Sequence, residues 1–436
     1  GFDYRKTYYD IADQYTMCMD GYARTEWTYK GDGSISGQSG AKPWTLSRPL
    51  ILTQKFFDQR MELTTVKAGH AGYVNVWNEH NQLKETNYRN AQWDLTINEE
   101  VHYAIIRYRY EGRDPYAQPV QEAYFDEKGN PIDAGDGYQA RTMAYGGPTG
   151  RLLVREAFFY ADGRPDESAV TASHEVRYAY DSRQNIILEQ HYDQGGSPVL
   201  CASGYAALSR EYNASGKLLR EYFLDAQGGG IIANGQYAAR VHRFDPSGRQ
   251  TGARFFGASG QALIQSSGYA AVRYAYDENG YVRQVCFYGP DDRLLAPDAM
   301  GYAARQSVHD AAGRLLQEAY FDAAMRPVLT RGGYAARRMI YDEKTGRLLL
   351  TTYLDESLAP TLTKDGYASV EQKYDAFGNL IRQAYYGADA EPIAPPALQY
   401  ASLLRSCDAD GNILRESFYG PSGAPIVSRS GYAVRE

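Results

Sequence analysis

Pairs of adjacent aromatic residues recur at a near-constant interval in the second half of this 436-residue chain. They are Phe255-Phe256, Phe287-Tyr288, Tyr320-Phe321, Tyr385-Tyr386 and Phe418-Tyr419, weakened to Phe223-Leu224 and Tyr353-Leu354 at two intervening places. The chemistry open to such a set is stacking, in which an aromatic face packs on a flat ligand such as a sugar ring. Adjacent residues of a strand point to opposite faces, so one member of each pair can fill a core while the other reaches the far face. The candidate ligand-binding rings are the second members, Phe256, Tyr288, Phe321, Tyr386 and Tyr419. Alternation allows the first members equally. A single stack is weak, but a row of them along a polymer gains avidity when the spacing matches.

Little else in the sequence could do chemistry. The seven histidines (His70, His80, His102, His174, His191, His242 and His309) are scattered, with no metal-ligating spacing. His309 stands where other copies carry Tyr276, Tyr341 and Tyr374, which marks it as a packing substitute. No nucleophile elbow, phosphate loop or dinucleotide fingerprint is present. Repeated Asp-x-x-Gly segments superficially resemble calcium loops but lack the further acidic ligands and late Glu that such loops need. Cys18, Cys201, Cys286 and Cys407 fall at four different points of the repeat, which argues against a disulfide framework or zinc site. Acidic residues are too dispersed to nominate a pair for glycoside hydrolysis. The expectation is therefore no enzyme, no catalytic residue, no cofactor and no metal.

The elements that position these rings follow from a period of 32 or 33 residues. Seven copies open at Gly204, Gln236, Gly268, Gly301, Gly333, Gly366 and Gln399, spanning 204–430, and an eighth opens at Gly431 and covers 431–436. Such a period means one supersecondary unit stacked on its neighbours. In the copy from Gly268, a segment rich in aromatic and β-branched residues runs to Asp277. Asp277-Glu278-Asn279-Gly280 then reads as a turn, with Asp accepting local N–H groups and Gly taking positive φ. A second strand, Tyr281 to Tyr288, and a short return segment follow. A helical repeat is disfavoured, because recurring glycines leave segments of only about nine residues, marginal for helices. The predicted fold is all-β: an elongated β-solenoid of stacked hairpins.

Residues 21–203 carry the same pattern in degenerate form, with units opening at Gly21, Gly72, His102, Gly137 and near His174 and an insertion at about 26–60. That insertion includes Gly31-Asp-Gly-Ser-Ile-Ser-Gly-Gln-Ser-Gly, a flexible loop by composition. All four tryptophans (Trp27, Trp44, Trp77 and Trp93) lie in this part, which reads as drift at a capping end or as a specialised site. Residues 1–20 resemble the second half of a repeat. Together with the first half at Gly431 they suggest a piece of a longer array, or two halves that pair to close a ring.

Composition narrows the partners. Tyrosine (40) and glycine (43) are both high. Charge is mixed, with 46 basic and 53 acidic residues and a net of −7, and no basic run that would suit nucleic acid. No apolar stretch is long enough to cross a bilayer as a helix.

Two family resemblances rest on the turn motifs. Tyr374-Asp-Ala-Phe-Gly-Asn-Leu-Ile and Tyr276-Asp-Glu-Asn-Gly-Tyr-Val resemble the YD repeats of RHS proteins, which are large secreted or surface β-structures forming shells around toxin cargo. The period departs from that pattern, since RHS repeats are shorter and lack the Gly-Tyr-Ala opening. Tyr124-Phe-Asp-Glu-Lys-Gly-Asn-Pro-Ile and Tyr385-Tyr-Gly-Ala-Asp-Ala-Glu-Pro-Ile are similar to the hairpins of choline-binding, glucan-binding and clostridial-toxin repeats, whose period is nearer 20 residues. Both resemblances imply a bacterial extracellular or cell-surface location. Two readings stand together. One is a non-catalytic module binding polysaccharide, a cell-wall polymer or choline-like groups. The other is a stalk, shell or filament element, able to self-associate end to end through unpaired strands. One wet, contiguous aromatic column would favour the first, and two dry columns the second.

Overall fold

The structure, a computed structural model, describes residues 5–9, 14–30, 50–408 and 410–436. The glycine-serine loop expected at residues 31–40, and Trp44, lie outside them. The described residues form 26 strands and no helix. The all-β prediction and the stacking of hairpins hold. The chain divides into two compact units, one of residues 1–217 with 222–234, the other of 218–221 with 235–436.

In the second unit each copy folds the same way. The strand Ala271–Tyr276 pairs antiparallel with Val282–Tyr288, which pairs in turn with Ala304–His309 of the next copy, and so on to Val434–Arg435. The turn between the two strands is built as its residues predict. Asp277 Oδ1 accepts the backbone N–H groups of Asn279 (3.0 Å) and Tyr281 (2.9 Å), and Gly280 takes a φ of 89°. A second turn folds the chain back, so that Phe256 bridges to Ala262 and Leu263 N–H returns to Phe255 C=O at 3.0 Å. This is the expected hairpin plus return segment.

The last residue of each first strand is bulged, as between Ala275 and Tyr276. A bulge sharpens twist and re-aims the side chain. Here it sends the Tyr276 hydroxyl to the Gln250 carbonyl of the preceding copy at 2.6 Å, with the Arg249 guanidinium 4.8 Å from the ring. The Tyr of the Tyr-Asp motif is thus a latch between copies. His309 occupies the same register position, opposite Leu315, and has no hydroxyl to donate. Its Nδ1 is buried without a partner, so it packs against Tyr281 but does not latch.

In the first unit the pattern persists from Arg5–Thr7, which pairs with Arg24–Tyr29 as a second strand should. One opening shifts. Phe56 N–H donates to Ala71 C=O, the counterpart of Phe255 donating to Ala270, so the copy opens at Gly69-His70, three residues before Gly72. Gly72 lies on the strand opposite Arg89. Gly69, not Gly72, takes the positive φ of a copy's opening, at 78°. The same correspondence puts Ser173, one residue before His174, in the place of the opening tyrosine, because Phe158 N–H donates to His174 C=O.

Candidate functional site

The first member of each aromatic pair lies on one face of the sheet and is buried, at 6–8% exposure for Phe255, Phe287, Tyr320, Tyr385 and Phe418. The opening tyrosine of each copy lies on the same face. Across a hairpin the two meet at 4.8–5.1 Å between centroids, as in Tyr269–Phe287 and Tyr302–Tyr320. Between copies the spacing is 5.7–6.2 Å. The result is one unbroken ladder of thirteen rings from Tyr237 to Tyr432, mostly tilted or edge-on, the arrangement that ring quadrupoles favour. Burial pushes Tyr237 and Tyr353 up to about 12. In the first unit the ladder runs from Tyr8 to Phe158 with Phe56 and His70 among its nine rungs.

At Ser173 the rung is missing. Its hydroxyl instead lies 3.2 Å from His191 Nδ1, and His191 Nε2 is 3.1 Å from Glu189 Oε1, which also accepts the Tyr205 hydroxyl at 2.9 Å. Burial disfavours a charged imidazole, but hydrogen bonds to Cys201 and Glu189 outweigh it and raise His191 to about 9. The residues could form a nucleophilic relay by type. Ser173 and His191 are buried, at 0% and 3%, and the group fills the place of the missing rung.

A row of carboxylates accompanies the ladder, two residues before the first ring of the pair and on the same face. Glu122, Glu221, Glu318 and Glu416 are buried. Glu318 accepts the Tyr320 hydroxyl at 2.5 Å and is paired with Arg305 (3.3 Å) and Arg337 (2.8 Å). Buried carboxylates require such partners. The signal for this row in the sequence is Glu recurring two positions before the ring, at Glu122, Glu221, Glu318 and Glu416.

The candidate rings Phe256, Tyr288, Phe321, Tyr386 and Tyr419 lie together on the opposite face, each half-buried. Small residues face them across the hairpin: Ala239, Ala271, Ala304, Ser369 and Ser402. Arginines cover two of them, Arg254 at 5.8 Å from Phe256 and Arg273 at 4.1 Å from Tyr288. Tyr386 borders an open cavity of about 430 Å³ with Ile340, Leu350, Lys373 and Glu371. Its hydroxyl donates to Glu371 at 3.1 Å, and Arg382 joins the same carboxylate. The column is therefore partly dry and locally open. Among the described residues no group of three or more His, Cys, Asp or Glu side chains is arranged to hold a metal ion. The turn aspartates are occupied by backbone N–H groups.

No protein-family model matches the chain, and no curated protein matches its sequence. Solved structures are similar to it. A crystal structure of TcdB2-TccC3-TEV matches 96% of this chain and 22% of its own at 12% identity, with a TM-score of 0.37. A crystal structure of TcdB2-TccC3 matches 99% and 22% at 12% identity and a TM-score of 0.33. The Photorhabdus luminescens Tc holotoxin pore matches 95% and 24% at 11% identity and a TM-score of 0.25. This chain spans less than a quarter of the length of those chains.

Proposed function

We propose that this chain is a structural repeat element, a stretch of β-wall that positions or encloses other parts of a larger extracellular or cell-surface protein and has no catalytic centre of its own. The observation that carries this reading is the use of the aromatic pairs. The first rings interleave with the opening tyrosines into a buried ladder, and the second rings are half-covered by small residues and arginines. A ladder continuous through successive copies couples each hairpin to the next, as a wall requires.

A second reading, binding of polysaccharide, a cell-wall polymer or choline-like groups, is favoured by one place on the second column. There Tyr386 borders the cavity with Glu371 and Lys373, an aromatic wall beside charged hydrogen-bonding groups. The two readings separate in a cell-wall pulldown and glycan array on the intact chain and on a Phe256→Ala/Phe321→Ala/Tyr386→Ala triple variant. The structural reading expects no retention of either protein and a lower melting temperature for the variant. Retention by the parent that is lost in a variant of unchanged melting temperature would overturn it.

A further inference from the structure

In a repeat array, side chains that depart together from the pattern toward one chemistry mark a place with its own role. The outer face has one such place. Arg243 faces Gly252 across one hairpin, and Gly252 faces Arg273 across the next pairing, so a guanidinium, a gap and a second guanidinium share one cross-strand row. Arg254 stands two residues along the same strand as Gly252, on the same face. In the next four copies the Gly252 position holds Gln284, Gln317, Leu350 and Arg382, and the Arg254 position holds Cys286, Ala319, Thr352 and Ala384. Arg243 is replaced there by Ala275, Val308, Ile340 and Lys373. In the last copy Ser406, Arg415 and Ser417 fill the three positions, so among the described residues of this unit three arginines gather around a glycine only here.

Two of the three are held in place before any ligand arrives. Arg254 donates to Asp292 at 2.7 Å and to the Pro290 carbonyl at 3.1 Å. Arg273 donates to the other oxygen of Asp292 at 2.8 Å and lies over the Tyr288 ring at 4.1 Å. Asp292 supplies one negative charge against three positive: it is ion-paired with Arg254 and Arg273, and the exposed Arg243 also acts on it electrostatically but, among the described residues, forms no ion pair. A notch of about 20 Å³ opens among these residues, room for about one ligand oxygen. A Cβ at Gly252 would come within 2.7 Å of the Val272 carbonyl, so a side chain there requires a backbone shift.

We propose that Arg243, Arg254 and Arg273 form an oxyanion-binding site over Gly252, taking a phosphate, sulfate or carboxylate group. Guanidinium forks recognise such groups with paired, charge-assisted hydrogen bonds, and preorganisation lowers the entropy lost on binding. The site is independent of the aromatic columns acting as a sugar platform, so it stands or falls separately from the function proposed above.

The test is calorimetric titration of the intact chain at low salt with inorganic phosphate in one arm, and dextran sulfate against neutral dextran in the other. Saturable binding is expected in at least one arm, at least tenfold weaker in Arg243→Gln and Arg273→Gln, unchanged in the control Arg283→Gln, an exposed arginine of the strand Val282–Tyr288 outside the row, and weakened by added sodium chloride. Phosphate binding alone identifies a small free anion as the ligand, and tighter binding of dextran sulfate identifies a polymer-borne group. Circular dichroism confirms that the Gln variants remain folded. Absence of saturable binding in both arms, or binding that Arg243→Gln and Arg273→Gln leave intact, overturns the proposal.

Discussion

Replacing Phe287 and its neighbour Tyr288 by alanine, one at a time, separates the two faces of the sheet. Phe287 is 6% exposed and meets Tyr269 at 4.9 Å and Tyr302 at 6.1 Å. Truncating a buried Phe to Ala costs about 3–5 kcal/mol, the lost transfer energy plus a cavity. Phe287→Leu keeps most of the volume and loses two ring contacts at about 0.5–1.5 kcal/mol each, so about 1–3 kcal/mol. Tyr288 is half-buried and covered by Arg273, so its removal forfeits less area and one cation–π contact, about 1–2 kcal/mol. The assay is urea unfolding combined with site-resolved hydrogen exchange, because an array need not unfold in one step. Phe287→Ala should raise exchange most in Ala271–Tyr276, Val282–Tyr288 and Ala304–His309, the strands that share the rung. A cost for Tyr288→Ala equal to or above that of Phe287→Ala would refute the assignment of faces. So would a Phe287→Leu cost equal to that of Phe287→Ala.

Three further outcomes follow from the charged groups. The His191 value is raised to about 9, so its contribution is complete below 6.5 and is lost as pH rises through 9, about 3 kcal/mol by linkage. Urea midpoints at pH 6 and pH 10 should therefore fall further for the parent than for His191→Phe, and equal falls would exclude the ion pair. Backbone N–H groups hold Asp245, Asp310 and Asp322 below the usual carboxylate range, so their contribution is present above about 3.9 and is lost as pH falls through the lower folded values. The urea midpoint should drop below pH 4, and less steeply in Asp310→Asn/Asp322→Asn. Glu318→Ala leaves Arg305, Arg337 and the Tyr320 hydroxyl without their acceptor, at about 1–3 kcal/mol, because the arginines are a third exposed and can reach water. Glu318→Gln should cost less, since it keeps an oxygen for the Tyr320 hydroxyl.

The hairpins were legible because two local signals agree. Aromatic and β-branched runs mark the strands, and Asp-x-x-Gly marks the turns, as at Asp277–Gly280. Adjacent rings on a strand had to face opposite ways, so the separation of Phe287 from Tyr288 was also foreseeable. What stayed hidden depends on pairing register. Tyr269 meets Phe287 only because the hairpin sets them side by side, and nothing local to either residue announces it. The Tyr276 latch needs the bulge that follows Ala275, and the opening at Gly69 needed the backbone bond from Phe56 to Ala71. The arginine site was hidden for the same reason, since Arg243, Gly252 and Arg273 are nine and twenty-one residues apart and become one row only after strand pairing.

The most direct test of the central claim, that the aromatic repeat is a buried core running through the array, is tyrosine nitration by tetranitromethane mapped residue by residue by mass spectrometry. Tyr124, Tyr138, Tyr320 and Tyr385, all buried rungs, should stay unmodified while Tyr9, 53% exposed, and Tyr160, 40% exposed, react. Rungs that nitrate in the folded chain as fast as Tyr9 and Tyr160 would contradict it.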